Sequence, residues 1–178
     1  MRGGKIRVRE GYRRFNIVGE IWTEHTIGTD WWHEGRRLNT GKDTELKSDM
    51  DFTLMGMASD IFNDKSRPNG RLQRLYTHMC YDFVYPDISN VLRFLENHDT
   101  DRFLRENPTD LDAYKQGIAF LLTIPGTPQR YYGQELLMHG TKSGPGGDGN
   151  IRLDVPGGWP GDKQNWFERQ GRSALQNE

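Results

Sequence analysis

The chain has 178 residues, the length of one ordinary domain, and its hydrophobic fraction of 34% excludes a disordered tail. It contains no apolar run of about eighteen residues, and Lys plus Arg (24) nearly balance Asp plus Glu (25), so we expect neither a membrane nor nucleic acid as a partner. The single cysteine, Cys80, excludes an intramolecular disulfide framework.

The first predicted elements are a lead-in segment and two strands. Residues 1–14 are basic and lack the apolar stretch of a signal sequence, so we expect the tail of a helix there. The apolar run Phe15–Trp22 predicts a buried strand, and a weaker strand is expected near Ser48–Phe52.

Two helices are predicted after the second strand, because apolar residues recur there with helical spacing. In each stretch the apolar positions fit one face of a helix. These positions are Leu54, Met55, Ala58, Ile61 and Phe62 in the first stretch, and Leu72, Leu75, Tyr76, Met79 and Phe83 in the second.

The remaining elements continue the alternation of strand and helix. A third strand is expected at Val91–Leu95 and a fourth at Thr127–Gly133. Between them a helix is expected to begin near Pro108, with Thr109 as its N-cap and Asp112 as the reciprocal partner of a capping box. This alternation predicts an α/β fold with about four parallel βα units.

Two acids, Glu20 and Asp99, lie at the ends of predicted strands, which is where parallel α/β folds place their chemistry. Two carboxylates in one cleft suit glycoside hydrolysis. One can protonate the leaving oxygen, and the other can stabilise positive charge on the sugar. Spacing alone would more often indicate structural or solvated carboxylates. The aromatic residues suited to stacking on sugar rings are Trp22, Trp31, Trp32, Tyr131 and Tyr132.

The residues around these acids carry a more specific signal than their spacing does. The motifs Val18–Trp22, Phe94–Asp99 and Pro125–Glu135 occur in the order found in the α-amylase family of glycoside hydrolases, and the chain resembles that family. Two further stretches, Leu75–Asp87 and Gly147–Asp162, resemble its neopullulanase and cyclomaltodextrinase branch.

The resemblance implies a fold and a set of site residues. The fold would be a partial (β/α)₈ barrel, strands five to eight with their helices, formed by residues 1–178 as a single fragment. Glu20 matches the general acid/base of the family and Asp99 the acid that stabilises the transition state. His98 matches a histidine that binds a sugar hydroxyl, and Trp22 and Asn97 are further substrate-binding candidates. Glu135, at the end of the last strand, is equally consistent with a supporting and a structural role.

The resemblance also implies a nucleophile that the chain lacks. A retaining glycosidase needs a carboxylate about 5–5.5 Å from the acid/base, and the family carries it on the fourth strand in a Gly-x-Arg-x-Asp pattern. Only nineteen residues precede Glu20, and none forms this pattern. We therefore expect a catalytic fragment that is inactive alone and that needs an N-terminal half-barrel or associates with itself through open sheet edges.

The expected substrates are α-glucan oligosaccharides, namely maltooligosaccharides, cyclodextrin or pullulan, and the resemblance suggests the bacterial periplasm or cytoplasm. A non-catalytic α-amylase-like binding protein is the alternative function. An α/β domain unrelated to sugars is a third possibility, which the ordered motifs disfavour.

No cofactor and no metal ligand set is expected, with one exception. The loop containing Asp148, Asn150 and Asp154 offers oxygen ligands suited to calcium, although a simple turn explains it equally well. The histidines lack the His-x-x-x-His spacing of a helical zinc site. Two arginines, Arg93 and Arg130, fall in predicted strands where apolar residues are usual, and we expect them at a barrel end or on an exposed surface.

Overall fold

The structure is a computed structural model that describes residues 16–35, 43–63, 71–106 and 111–178. The expected lead-in, residues 1–14, lies outside the described residues. Within the described part of the chain, no helix is both long and apolar enough to cross a bilayer.

Four short strands alternate with helices along the chain, and only the helix between the first two strands was not predicted. Several 3₁₀ segments follow the helices, among them Cys80–Val84 and Gly147–Ile151. The strands are β1 (Val18–Gly19), β2 (Ser48–Asp49), β3 (Leu92–Arg93) and β4 (Thr127–Pro128), and the α-helices are α1 (Thr26–Asp30), α2 (Phe52–Asn63), α3 (Arg71–Met79) and α4 (Asp112–Thr123).

The four strands are parallel and follow one another in chain order. β1 pairs with β2 and β3 pairs with β4, both in parallel register. A parallel bridge between Met50 and Leu92 joins the two pairs, and the amide of Asp51 donates to the carbonyl of Leu92. A doubly wound sheet would reverse its strand order at a switch point. Sequential parallel order is instead the arrangement of successive units in a βα barrel.

β1 is shorter and more exposed than the predicted buried strand. Val18, its first residue, is 38% exposed and the preceding Ile17 is 41% exposed, so the prediction of a buried strand is wrong for this segment. Among the described residues β1 pairs only with β2, so its other edge has no strand to cover it. Gly19 permits the pairing with β2, because a Cβ there would collide with the side chains of Leu46 and Asp49.

The hydrophobic core lies where α2, α3 and α4 pack together and against the end of β3. One cluster contains Ala58 of α2 and Leu121 of α4, together with Leu95 and Phe103 from the segment after β3. A second cluster joins α2 to α3 through Leu54, Ile61 and Leu75. The predicted apolar face of α2 is therefore confirmed as its buried face.

The predicted apolar face of α3 is wrong in part. Leu72, Tyr76 and, beyond the helix, Phe83 are 58%, 65% and 60% exposed. The buried side chains are Leu75 and His78, three positions apart. The face of α3 that packs against the core therefore includes His78 and differs from the predicted face. The ring nitrogen Nε2 of His78 lies 3.7 Å from a carboxylate oxygen of Asp51.

The start of α4 also differs from the prediction. The helix begins at Asp112 after the N-cap residue Leu111, which makes no side-chain capping hydrogen bond. Asp112 is therefore the first helical residue and not the third, as a capping box would require. The predicted cap, Thr109, lies outside the described residues.

Arg93 is 1% exposed, so the alternative of an exposed surface is wrong for this residue. It forms an ion pair with Asp51 and a second one with Asp82 at 2.6 Å, and its Nε donates to the carbonyl of Pro125 at 3.3 Å. Because two carboxylates offset the buried charge, the strand tolerates it. Arg130 does lie on the surface, where it faces Glu135 at 3.6 Å.

Candidate active site

Glu20, His98 and Asp99 converge at the carboxyl ends of β1 and β3. One carboxylate oxygen or ring nitrogen from each of the three side chains lies within 4.8 Å of those of the other two. Glu20 and His98 are exposed and Asp99 is half-buried, so a ligand can reach all three. Parallel strand ends meet at one edge, which is why residues almost eighty positions apart come together.

This cluster can transfer a proton and stabilise a positive charge at one place. A protonated Glu20 would supply the proton, and the Asp99 carboxylate would face the developing charge on a sugar ring. The imidazole of His98 lies 3.2 Å from Asp99 and offers a hydrogen bond to a hydroxyl group. Two carboxylates and an imidazole at this spacing are also a set of ligands that a divalent cation accepts.

Asn97 lies inside the protein and not in the cleft. It is 1% exposed, and its Oδ1 accepts a hydrogen bond from the amide of Asp99 at 2.9 Å. The backbone N–H of Asn97 donates to the hydroxyl of Thr100 at 3.0 Å. The structure therefore corrects the expectation that Asn97 touches substrate: its contacts build the turn that presents His98 and Asp99.

Two cations that sequence reasoning missed bind this turn from the loop after β4. Arg152 donates from Nη2 to Oδ1 of Asp99 at 2.6 Å and from Nε to the carbonyl of His98 at 2.7 Å. Lys142 donates from Nζ to the carbonyl of Asp99 at 3.1 Å. Asp99 and Arg152 are 53 positions apart, so no local spacing could have connected them.

The loop considered for calcium is held by side-chain contacts of its own. Asp148 pairs with Lys142 and Arg152, both at 2.9 Å. The hydrogen bond from Lys142 and the charge of Arg152 hold the pKa of Asp148 below its usual value. Asp154 accepts a hydrogen bond from the indole of Trp159 at 2.9 Å. These bonds occupy oxygen atoms that calcium would need, and they favour the interpretation as a turn.

Trp22 lies two residues after Glu20 in the chain, and its ring is held on one side. It is 57% exposed and stacks on Phe52 with ring centroids 4.5 Å apart, and Phe52 in turn lies edge-on to the buried Phe94. This series of rings anchors Trp22 while leaving part of its surface open. The other candidates differ, because Tyr131 and Tyr132 lie against a buried arginine and Trp31 and Trp32 are half-exposed near α1.

That arginine, Arg102, forms a buried ion pair with Glu96 that the sequence did not reveal. Nη1 of Arg102 lies 3.0 Å from Oε1 of Glu96, and both residues are 1% exposed. Burial raises the pKa of Glu96, although the amide of Phe103 and the guanidinium of Arg102 act in the opposite direction.

The fold and the site together define a class: a parallel βα-barrel protein with paired carboxylates at its strand ends. The family described as Alpha amylase, catalytic domain, matches residues 4–174. The chain therefore belongs to the α-amylase family, whose members are glycosidases.

Curated relatives agree with this assignment. A cyclomaltodextrin glucanotransferase of Bacillus licheniformis is 30% identical over 153 residues, which is 83% of this chain and 20% of that protein. A maltogenic α-amylase of Bacillus acidopullulyticus is 28% identical over 151 residues, 84% of this chain and 22% of that protein. The chain thus spans only about a fifth of the length of these two relatives.

Solved structures show the same fold. A γ-cyclodextrin glucanotransferase from alkalophilic Bacillus clarkii aligns with a TM-score of 0.63 at 23% identity, over 83% of this chain and 20% of that one. An α-amylase from Geobacillus thermoleovorans, complexed with acarbose, aligns with a TM-score of 0.60 at 26% identity, over 80% of this chain and 30% of that one.

Proposed function

We propose that this chain supplies the acid/base part of a retaining glycosidase site that cleaves α-glucosidic bonds. The observation that carries the proposal is the convergence of Glu20, His98 and Asp99 within 4.8 Å at the strand ends. Glu20 protonates the leaving oxygen, Asp99 stabilises the oxocarbenium-like transition state, and His98 holds a hydroxyl of the sugar.

The proposed substrates are α-glucan oligosaccharides, such as maltooligosaccharides, cyclodextrin and pullulan. The names of the curated relatives support glucan chemistry, and the Geobacillus thermoleovorans α-amylase is described in complex with acarbose. The exposed ring of Trp22, two residues after Glu20 in the chain, offers a surface on which a sugar ring can stack.

We further propose that residues 1–178 correspond to the second half of the barrel, with β1 to β4 as its strands five to eight. The sequential parallel order of the strands and the motif order support this. The nucleophile would then come from a strand beside the open edge of β1, so a retaining double displacement needs a segment other than this one.

The test is an assay of the 178-residue chain on maltoheptaose, β-cyclodextrin and pullulan, beside Glu20→Gln. We expect the chain to bind glucan without turnover, because no nucleophile is present to form the glycosyl intermediate. Turnover by the chain that Glu20→Gln abolishes would show that the nucleophile lies within these residues. Absence of glucan binding would contradict the proposed function itself.

A further inference from the structure

A buried ion pair, Glu96 with Arg102, lies next to the turn that carries His98 and Asp99. We infer that this pair is a positioning device for Asp99, a role that rests on the function proposed above. Both side chains are 1% exposed, so neither can touch a sugar, and any effect on the site must act through other residues.

The ion pair first fixes the ends of the segment that contains His98 and Asp99. Glu96 comes two residues before His98. Its Oε1 lies 3.0 Å from Nη1 of Arg102, and its Oε2 accepts the amide of Phe103 at 2.5 Å. Residues 96 and 103 are thereby held together, and the turn between them has both of its ends fixed.

The guanidinium of Arg102 also holds the segment that carries Arg152, the residue whose side chain binds Asp99. Nε of Arg102 donates to the carbonyl of Ile151 at 3.0 Å. The next residue is Arg152, whose Nη2 donates to Oδ1 of Asp99 at 2.6 Å. Arg102 thus bonds both the turn that carries Asp99, through Glu96, and the segment that carries Arg152. One side chain therefore sets the distance between Asp99 and the arginine that binds it.

The residues after β4 complete the arrangement. Nη1 of Arg102 donates to the carbonyl of Tyr132 at 2.7 Å, and the guanidinium carbon lies 4.2 Å and 4.9 Å from the ring centroids of Tyr131 and Tyr132. Burying an ion pair adds little net stability compared with apolar residues of similar size. A planar guanidinium that donates hydrogen bonds to three segments does fix the positions of those segments relative to one another.

The experiment uses Arg102→Met and Glu96→Gln in the 178-residue chain, with Arg102→Lys as the conservative variant. The readouts are the ¹⁵N signals of the His98 ring, identified by their loss in His98→Gln, and the affinity for maltoheptaose. We expect the His98 signals to shift in Arg102→Met and Glu96→Gln, because His98 lies 3.2 Å from Asp99 and reports on its placement. We expect affinity to fall about tenfold, with partial recovery in Arg102→Lys.

Arg93→Met is the matched control, since Arg93 is equally buried and pairs with two carboxylates away from the turn. It should lower the melting temperature while leaving the His98 signals in place. A shift of equal size in both arginine variants, or none in Arg102→Met and Glu96→Gln, would overturn the inference. If the unmodified chain binds no maltoheptaose, the proposed function fails, whereas the His98 signals still decide the positioning role.

Discussion

At the scale of single residues, the candidate site shows which chemistry is readable from a motif and which is not. Glu20, His98 and Asp99 stand in short contiguous motifs at strand ends, so sequence could propose them and the structure brings them together. Arg152 binds this turn from 53 positions away, and Arg102 connects the turn to Ile151, 49 positions away from it. No local spacing encodes such contacts, and only the fold reveals them.

Trp22 allows a prediction at this scale. Replacing Trp22 with Ala removes an exposed ring two residues after Glu20, and we expect the affinity for maltoheptaose to fall about tenfold, or ~1.4 kcal/mol. Isothermal titration calorimetry would measure this. Trp22→Phe keeps an aromatic ring that can stack on Phe52, so it should retain most of the affinity. If Trp22→Ala binds maltoheptaose as tightly as the unmodified chain, the Trp22 ring is not part of the sugar-binding surface.

At the scale of elements, the four strands and helices α2 to α4 were predictable in order and type, and so was the buried face of α2, but the exposure of β1 and the packed face of α3 were not. Apolar runs located β1 to β4, and the helical spacing of apolar residues located α2 to α4. They could not show that α3 packs through His78 or that Arg93 lies in the interior. Both features depend on Asp51, 27 and 42 positions away, which forms the centre of a buried charge cluster.

Asp51 makes the stability of these elements pH-dependent. Burial tends to raise its pKa, but the nearby imidazole of His78 and the charge of Arg93 outweigh this and hold the pKa below the ordinary value of 3.8. Because the folded pKa lies below the unfolded one, the ionised carboxylate stabilises the fold above about pH 4. This contribution is lost as pH falls through the folded pKa.

We therefore expect Asp51→Asn to lower the free energy of unfolding at pH 7 by about 3–5 kcal/mol, since it leaves Arg93 short of a partner. The difference from the unmodified chain should narrow below pH 4, as urea unfolding at several pH values would show. Asp60→Asn, on the exposed side of α2, is the matched control and should change little. An Asp51→Asn difference that is constant from pH 7 to pH 3 would contradict this account of the cluster.

At the scale of the whole molecule, the described strands form a parallel array whose first and last members have one neighbour each. β1 and the residue before it carry exposed apolar side chains, Val18 and Ile17. Unpaired edges of this kind pair readily with other strands. The motif order predicts a further strand beside β1, the one that would carry the nucleophile.

We expect the chain to self-associate with rising concentration and expect Val18→Lys to weaken that association, because a charged residue on an edge opposes pairing. Sedimentation velocity would measure the change. Leu122→Lys is the control, since Leu122 is 55% exposed on α4 and away from the strand edges. Equal association of all three proteins would show that the β1 edge is not the surface involved.

The central claim is that Glu20, His98 and Asp99 form a glucan-binding site, and titration of the chain with acarbose tests it most directly. The account predicts measurable binding by the unmodified chain, a loss of about tenfold or more in Asp99→Asn and His98→Gln, and no change in Arg130→Met, whose side chain pairs with Glu135 on the surface. Absence of binding by the unmodified chain, or equal affinity in Asp99→Asn, would contradict it.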